Sequence, residues 1–133
     1  MPRLYRVLVP VADIEAANRF YTEVLGIEGK RVSPGRHYFD CDGTLLACYD
    51  PQADGDGRAA RPNPECIYLA VPDLESTFRA CREAGAAFAQ SSAPGVGALG
   101  EIATRPWGER SFYVNDPFEN PLCFVAEDTL FTG

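Results

Sequence analysis

The chain has 133 residues, a net charge of −7 and a composition that is 46% hydrophobic and 23% charged. These values are typical of an ordinary soluble domain, which can bury a core without a disulfide or a structural metal. The negative charge argues against a nucleic-acid partner and against an anionic membrane surface. It is compatible with a cationic ligand but does not require one.

Cysteine usage and the N-terminal sequence predict a reducing compartment. The chain has five cysteines, an odd number, and no C-x-x-C pair. The N-terminal sequence MPRLYRVLVPV lacks the pattern of a signal peptide, and we expect no segment to span a bilayer. We therefore expect reduced thiols and a cytoplasmic protein.

The first fifty residues predict a strand, a helix and three further strands. Residues 4–11 are β-rich, and Asp13 is predicted to cap a helix that ends at Gly26. Pro34-Gly35 and Asp42-Gly43 are turn signals between the later strands. Apolar residues lie at helical spacing within the helix at Ile14, Ala17, Tyr21, Val24 and Leu25. The three later strands are predicted at 28–33, 36–41 and 44–49.

The same order of elements recurs after a break. Residues 50–64, DPQADGDGRAARPNP, are rich in proline and glycine and have no apolar periodicity, which predicts a linker. The run VPDLESTFRACRE that begins at Val71 then repeats the Val, Asp, Glu, Arg and Glu of VADIEAANRFYTE, which begins at Val11. A duplicated strand–helix–three-strand unit is therefore predicted. Its second copy has a helix between Asp73 and Gly85 and strands near 66–72, 86–90, 100–105, 110–115 and 121–125.

Two runs of sequence carry a resemblance to a known family. One is VADIEAANRFYTEVLGIE with the Pro-Gly turn behind it, and the other is VPDLESTFRACREAGA followed by PWGERSFYVNDPFENPLCFV. Together they resemble the vicinal oxygen chelate superfamily, the group of glyoxalases, bleomycin-resistance proteins and extradiol dioxygenases. The chain departs from this family at Glu119, where the family usually has glycine.

The resemblance implies an α+β fold, in which two tandem βαβββ modules form a cup-shaped, incompletely closed mixed β-sheet. It implies a single domain over residues 1–133. Module 1 would occupy about 1–50, the linker about 51–64 and module 2 about 65–127. Chains of this length resemble bleomycin-resistance proteins, which are homodimers, so a homodimer is expected.

The resemblance also bears on metal binding. Catalytic members hold a divalent metal with His, Gln or Glu from the first and last strands of the modules, and the metal acts as a Lewis acid. The matching positions here are Arg6 and Ala47 (or Cys48 if the register slips) in module 1, and Cys66 and Cys123 in module 2. Arginine has no lone pair to give, and two thiolates fall short of a stable zinc site. We therefore predict no metal and no cofactor, and the two cysteines also fit small buried apolar positions.

Arg6 is the leading candidate for ligand binding. Strand alternation places Arg6, Leu8 and Pro10 on one face, and in the family register Arg6 points into the cup. A guanidinium in an apolar cavity needs a partner. That partner is either an internal carboxylate such as Asp40, or a carboxylate or phosphate of the ligand.

Aromatic residues and the sole histidine complete the candidate set. Tyr38, Phe112 and Tyr113 occupy third-strand positions and can line a pocket with Cys66 and Cys123, although Phe112 and Tyr113 must point to opposite faces. His37 is a candidate general base, with a surface or rim position as the alternative.

Three functions stay open at this point, in order of preference. The first is a metal-independent small-molecule binding protein with a cup-shaped pocket. The second is a metal-dependent lyase, isomerase or dioxygenase with atypical ligands. The third is a metal-free enzyme with Arg6 as anion clamp and His37 as base.

Overall fold

The computed structural model describes residues 1–133 apart from the side chain of residue 93. The chain divides into two compact units, Met1–Asn63 and Pro64–Gly133. Among the described helices, none is long and apolar enough to cross a membrane.

The first unit has the predicted order of one strand, one helix and three strands. Its sheet order is β1-β4-β3-β2, with β1 parallel to β4 and the other pairs antiparallel. The elements are β1 (Arg6–Pro10), α1 (Ile14–Leu25), β2 (Lys30–Ser33), β3 (Arg36–Cys41) and β4 (Thr44–Tyr49).

The second unit repeats this topology with additional short strands. Its main sheet has the order β5-β11-β10-β6, with β9 paired to β10, while β7 and β8 form a separate hairpin that the sequence did not predict. The elements are β5 (Ile67–Val71), α2 (Leu74–Glu83), β6 (Ala87–Phe88), β7 (Ser92–Ala93), β8 (Gly97–Ala98), β9 (Ala103–Thr104), β10 (Arg110–Asn115) and β11 (Pro121–Ala126). A single 3₁₀ turn, Glu127–Thr129, follows. The predicted α+β class is confirmed, with an open mixed sheet in each unit.

Both helices begin at the aspartates that the sequence predicted. The Asp13 carboxylate accepts hydrogen bonds from the backbone N–H groups of Glu15 and Ala16 at 3.0 and 3.1 Å. Asp73 accepts one from the N–H of Ser76 at 3.0 Å. These bonds satisfy donors that have no partner within the helix, so each cap fixes where its helix starts.

Each helix covers one face of its own sheet. In the first unit α1 contributes Ile14, Ala17, Phe20, Tyr21 and Val24 to the core, which the sheet completes with Val9, Phe39 and Leu46. In the second unit the core is aromatic, because Phe78, Phe88, Phe112 and Phe124 lie with ring centroids 4.8–6.1 Å apart. The central strands β4 and β11 are buried at consecutive positions, whereas β3 is buried at alternate ones, His37 and Phe39.

The first half of the predicted linker is bound to the first unit. Asp54 accepts hydrogen bonds from the Ser33 hydroxyl, the Gly35 N–H and the Arg36 guanidinium at 2.6, 3.0 and 3.1 Å. The boundary between the two units lies after Asn63. Proline and glycine therefore marked a series of tight turns here, which the aspartate holds against β3.

Arg105 is a buried cation that sequence reasoning did not single out. It is 2% exposed, and Nε donates to the Ser111 hydroxyl at 3.0 Å. The two terminal nitrogens donate to backbone carbonyls over 2.9–3.4 Å, and no ion pair to Arg105 occurs among the described residues. Those carbonyls belong to Val96, Ala98, Leu99, Glu101 and Ser111. One side chain therefore holds the segment before β9 against β10.

We predict that Arg105→Met destabilises the protein by more than about 3 kcal/mol, because several buried carbonyls lose their donor together. Chemical denaturation of the two proteins measures this difference. Arg3→Met is the matched control, since exposed Arg3 should change the free energy of unfolding by less than about 0.5 kcal/mol. A similar loss in both variants would contradict the structural role of Arg105.

The turn before β11 explains the family's glycine at position 119. Glu119 has φ 68°, in the left-handed region that side chains disfavour. Asp116 holds this turn, because its Oδ1 accepts hydrogen bonds from the N–H groups of Phe118 and Asn120 at 2.8 and 2.9 Å. The glutamate therefore tolerates a conformation that glycine adopts without a steric penalty.

We predict that Glu119→Gly raises the free energy of unfolding by about 1 kcal/mol through relief of this penalty. Glu119→Ala, which keeps a Cβ at the same φ, should give no comparable gain. Thermal unfolding of the two variants separates backbone strain from any effect of the lost carboxylate. An equal gain in both would show that backbone strain is not the cause.

Candidate functional site

The face of the first sheet opposite α1 carries Arg6 and Tyr38, two of the residues that the sequence predicted for ligand binding. Strand pairing places Arg6 beside Leu45, and Ala47 between Leu8 and Tyr38. We call this surface the Arg6 face and define it by these five residues. Because strands alternate, their chain neighbours Val9, Phe39 and Leu46 point to α1.

Arg6 is held by aromatic groups. Its Nη1 donates to the Tyr38 hydroxyl at 2.9 Å, and the guanidinium lies 5.1 and 5.5 Å from the ring centroids of Tyr5 and Tyr38. Among the described residues no carboxylate forms an ion pair with Arg6. Asp40, the predicted internal partner, instead accepts a hydrogen bond from the N–H of Gly43 at 2.7 Å. The charge of Arg6 is therefore oriented by the protein but not neutralised by it.

Arg36 is a second arginine at the same hydroxyl, and sequence reasoning missed it. Its Nη1 donates to Tyr38 Oη at 3.2 Å, while its Nε forms an ion pair with Asp54 at 3.1 Å. The hydrogen bond with Tyr38, followed by the interaction with Asp54, raises the pKa of Arg36. The pKa of Asp54 is lowered, first by the Ser33 hydroxyl and further by Gly35 and Arg36. Arg36 is thus a neutralised cation that fixes the position of Tyr38.

Tyr49 lies next to Arg36 on the same sheet face. The Arg36 guanidinium lies 4.3 Å above the Tyr49 ring, and the Tyr49 hydroxyl donates to Asp56. This hydrogen bond, with burial, raises the pKa of Tyr49. Arg58 donates to the same hydroxyl at 3.4 Å. The turns after β4 therefore supply both carboxylates that serve this end of the sheet.

His37 lies on the opposite face from Arg6. It is 5% exposed under α1, and its Nδ1 accepts a hydrogen bond from Arg31 Nε at 3.1 Å. Nε2 has no hydrogen-bond partner among the described residues, and a Cβ at Gly29 would stand 2.5 Å from it. Burial first, and the positive charge of Arg31 second, lower the pKa of His37. The structure therefore does not bring His37 together with Arg6.

The second unit presents neutral groups at its matching positions. Tyr68 is paired with Cys123, and Cys123 with Tyr113, on the sheet face away from α2. Burial is the main reason why the pKa of Cys123 rises to about 11 and why the pKa values of Tyr68 and Tyr113 also rise. Cys66 precedes β5, and its pKa is raised by burial and by the charge of Glu65. These thiols and phenols all keep their protons at neutral pH.

The four positions matched to metal ligands do not fit a divalent cation. Arg6 and Ala47 offer no electron pair to a metal, and Cys48 lies on the α1 face beside His37 and Val9. Thiol protons on Cys66 and Cys123 oppose metal binding, because the thiolate is the ligand form. Among the described residues there is no group of three or more His, Cys, Asp and Glu side chains that could hold a metal ion.

Phe112 is placed in the core rather than on the ligand-facing side. Its ring centroid lies 5.1 Å from that of Phe78 and 5.4 Å from that of Phe124, and the side chain is fully buried. Its neighbour Tyr113 takes the position on the other face. The alternation that the sequence implied therefore places Tyr113, and not Phe112, on the sheet face away from α2.

Comparisons with known proteins identify the family of this chain. The model of the Glyoxalase/Bleomycin resistance protein/Dioxygenase superfamily matches residues 3–124. A curated relative, virulence protein STM3117 of Salmonella typhimurium, is 23% identical over 121 residues, which cover 89% of this chain and 79% of the relative.

Solved structures show the same fold. A glyoxalase-related enzyme from Fulvimarina pelagi matches with a TM-score of 0.75 and 19% identity, covering 100% of this chain and 94% of the other. A glyoxalase/bleomycin resistance protein/dioxygenase from Nocardioides matches with a TM-score of 0.64 and 23% identity, covering 100% and 87%.

We predict that His37 makes stability depend on pH. Because the pKa of His37 is lowered in the folded state, the unfolded chain binds more protons below the ordinary histidine pKa of about 6.5. The free energy of unfolding should therefore fall as pH drops below about 6.5, by at most about 1.4 kcal/mol per pH unit from this group. Urea unfolding at a series of pH values measures it. His37→Gln should lack this component, and an equal slope in both proteins would contradict it.

Proposed function

We infer the function from the family, since the chain belongs to the Glyoxalase/Bleomycin resistance protein/Dioxygenase superfamily. We propose that it is a small-molecule binding protein that works without a metal ion. The ligand lies on the Arg6 face, with Arg6 as its polar contact. Members of this superfamily bind small molecules, and many form dimers, so we also propose a homodimer. The odd number of cysteines favours a cytoplasmic location.

The observation that carries this proposal is the state of Arg6. An arginine has five N–H donors in a fixed planar arrangement, and Arg6 uses one of them, on Tyr38. The Tyr5 and Tyr38 rings orient the guanidinium without neutralising it. A polar group that is oriented in advance loses less entropy when a ligand binds, which favours binding.

The surroundings of Arg6 supply apolar contact area. Leu45 is its partner on β4, and Leu8, two residues further along β1, is 42% exposed. Ala47, between Leu8 and Tyr38, is fully buried and adds no exposed area. A few polar groups among apolar side chains are the usual composition of a small-molecule site.

The two enzymatic alternatives receive less support. A metal-dependent lyase, isomerase or dioxygenase would need ligands at Arg6, Ala47, Cys66 and Cys123, whose chemistry does not suit a divalent cation. A metal-free enzyme with Arg6 as clamp and His37 as base would need both groups on one substrate. These two side chains lie on opposite faces of the same sheet, and His37 is 5% exposed.

A ligand screen by thermal shift, on protein dialysed against a chelator, tests the proposal. We expect ligands that stabilise the wild type by several degrees, since a hundredfold excess over Kd adds about 2.7 kcal/mol. The shift should persist after chelation and in Arg3→Gln, and should be lost in Arg6→Gln. Metal analysis of the purified protein accompanies the screen. Stoichiometric metal whose removal abolishes binding, or ligands indifferent to Arg6→Gln, would contradict it.

A further inference from the structure

We propose that the Arg6 face selects ligands that carry a carboxylate on an apolar body, and that the Tyr38 hydroxyl donates the second hydrogen bond to that carboxylate. This assignment rests on the proposed function, because it names the chemical class of ligand for the same surface. It follows from the hydrogen bonds that the Tyr38 hydroxyl already accepts and the one that it can still donate.

Tyr38 is a donor to the ligand because its acceptor capacity is already used. Its hydroxyl oxygen accepts from Arg6 Nη1 at 2.9 Å and from Arg36 Nη1 at 3.2 Å. A phenolic hydroxyl has one O–H donor in addition to its capacity to accept hydrogen bonds. No acceptor for that O–H occurs among the described residues. The O–H group of Tyr38 can therefore donate a hydrogen bond to an oxygen of the ligand.

Apart from Asp40, the polar groups near the ligand position are donors. Arg6 contributes its unused N–H groups, and Lys30, paired with Tyr38 across β2 and β3, contributes an exposed ammonium. Asp40, a carboxylate on the same sheet face, binds the Gly43 N–H in the hairpin turn. A site made of donors matches a group that only accepts, and it leaves the N–H₂ of a carboxamide without an acceptor.

A planar monoanion suits this face better than a dianion, although the Lys30 ammonium adds a second positive charge beside Tyr38. Arg36 is neutralised by Asp54, so Arg6 is the oriented guanidinium that lacks a carboxylate partner among the described residues. The chain carries a net charge of −7, which repels a dianion more than a monoanion. Two donor groups, one guanidinium and one hydroxyl, can engage the two oxygens of a carboxylate.

The body of the ligand meets apolar side chains. Leu8 and Leu45 flank Arg6 on the same face, and Leu8 is 42% exposed. Carbon atoms attached to the carboxylate would cover this leucine surface, and its removal from water favours binding. The matching ligand is therefore an aromatic or aliphatic acid rather than a small hydrophilic one.

Benzoate, benzamide and phenyl phosphate are the probes, titrated into ¹⁵N-labelled full-length protein at low ionic strength and followed by amide chemical shifts. We expect benzoate to bind at least about tenfold more tightly than benzamide, which is the value of one charge-assisted hydrogen bond. It should also bind more tightly than phenyl phosphate. The perturbed amides should be those of β1, β3 and β4.

Variants separate the two donors. Arg6→Gln and Tyr38→Phe should each weaken benzoate binding about tenfold or more, whereas benzamide binding should change little. Arg3→Gln is the matched control, because exposed Arg3 lies outside the residues that define the Arg6 face. The ¹⁵N spectra of the variants verify that each is folded. Arg6→Lys, which keeps the charge without the planar fork, should retain part of the affinity.

Distinct outcomes overturn the ligand class and the proposed function. Equal binding of benzoate and benzamide, tighter binding of phenyl phosphate, or no binding of benzoate would overturn the carboxylate assignment. An unchanged benzoate affinity in Tyr38→Phe would overturn the donor role of Tyr38. Neutral ligands from the thermal-shift screen that still require Arg6 would preserve the proposed function after any of these results.

Discussion

The two-residue period of a β-strand is the constraint on which the rest of this structure depends. Each unit buries one face of its sheet under a helix, so adjacent residues have opposite surroundings. His37 is buried beside Phe39, while Tyr38 meets Arg6 on the other face. Phe112 joins an aromatic core, while Tyr113 pairs with Cys123. The Arg6 face thus lies on the side of the first sheet away from α1.

Local features of the fold could be predicted from the sequence, and long-range ones could not. The caps at Asp13 and Asp73 involve groups within three residues, and the Asp42-Gly43 turn has two positive φ angles, so short motifs determine them. Arg36 and Asp54 meet across 18 positions, and nothing near either residue indicates that pairing. The same holds for the carbonyls around Arg105.

The candidate site shows the same division. The family resemblance made Arg6 and Tyr38 candidates for ligand binding, but it could not show that the Tyr38 hydroxyl would accept hydrogen bonds from both Arg6 and Arg36. Family positions directed attention to Cys66 and Cys123. Burial, which a sequence does not give, accounts for most of the rise in the pKa of both thiols. The protonation state of these two thiols therefore could not be predicted without the packing of the second sheet.

The way Arg105 is bound has a consequence for variation in this chain. Its donors on the segment before β9 reach main-chain oxygens of Val96, Ala98, Leu99 and Glu101, which every amino acid possesses. These hydrogen bonds therefore do not depend on which side chains stand at the four positions. A change of side chain at these positions therefore leaves the hydrogen bonds of Arg105 in place, whereas Gly100 in the same segment has no room for a Cβ beside the Ala89 carbonyl.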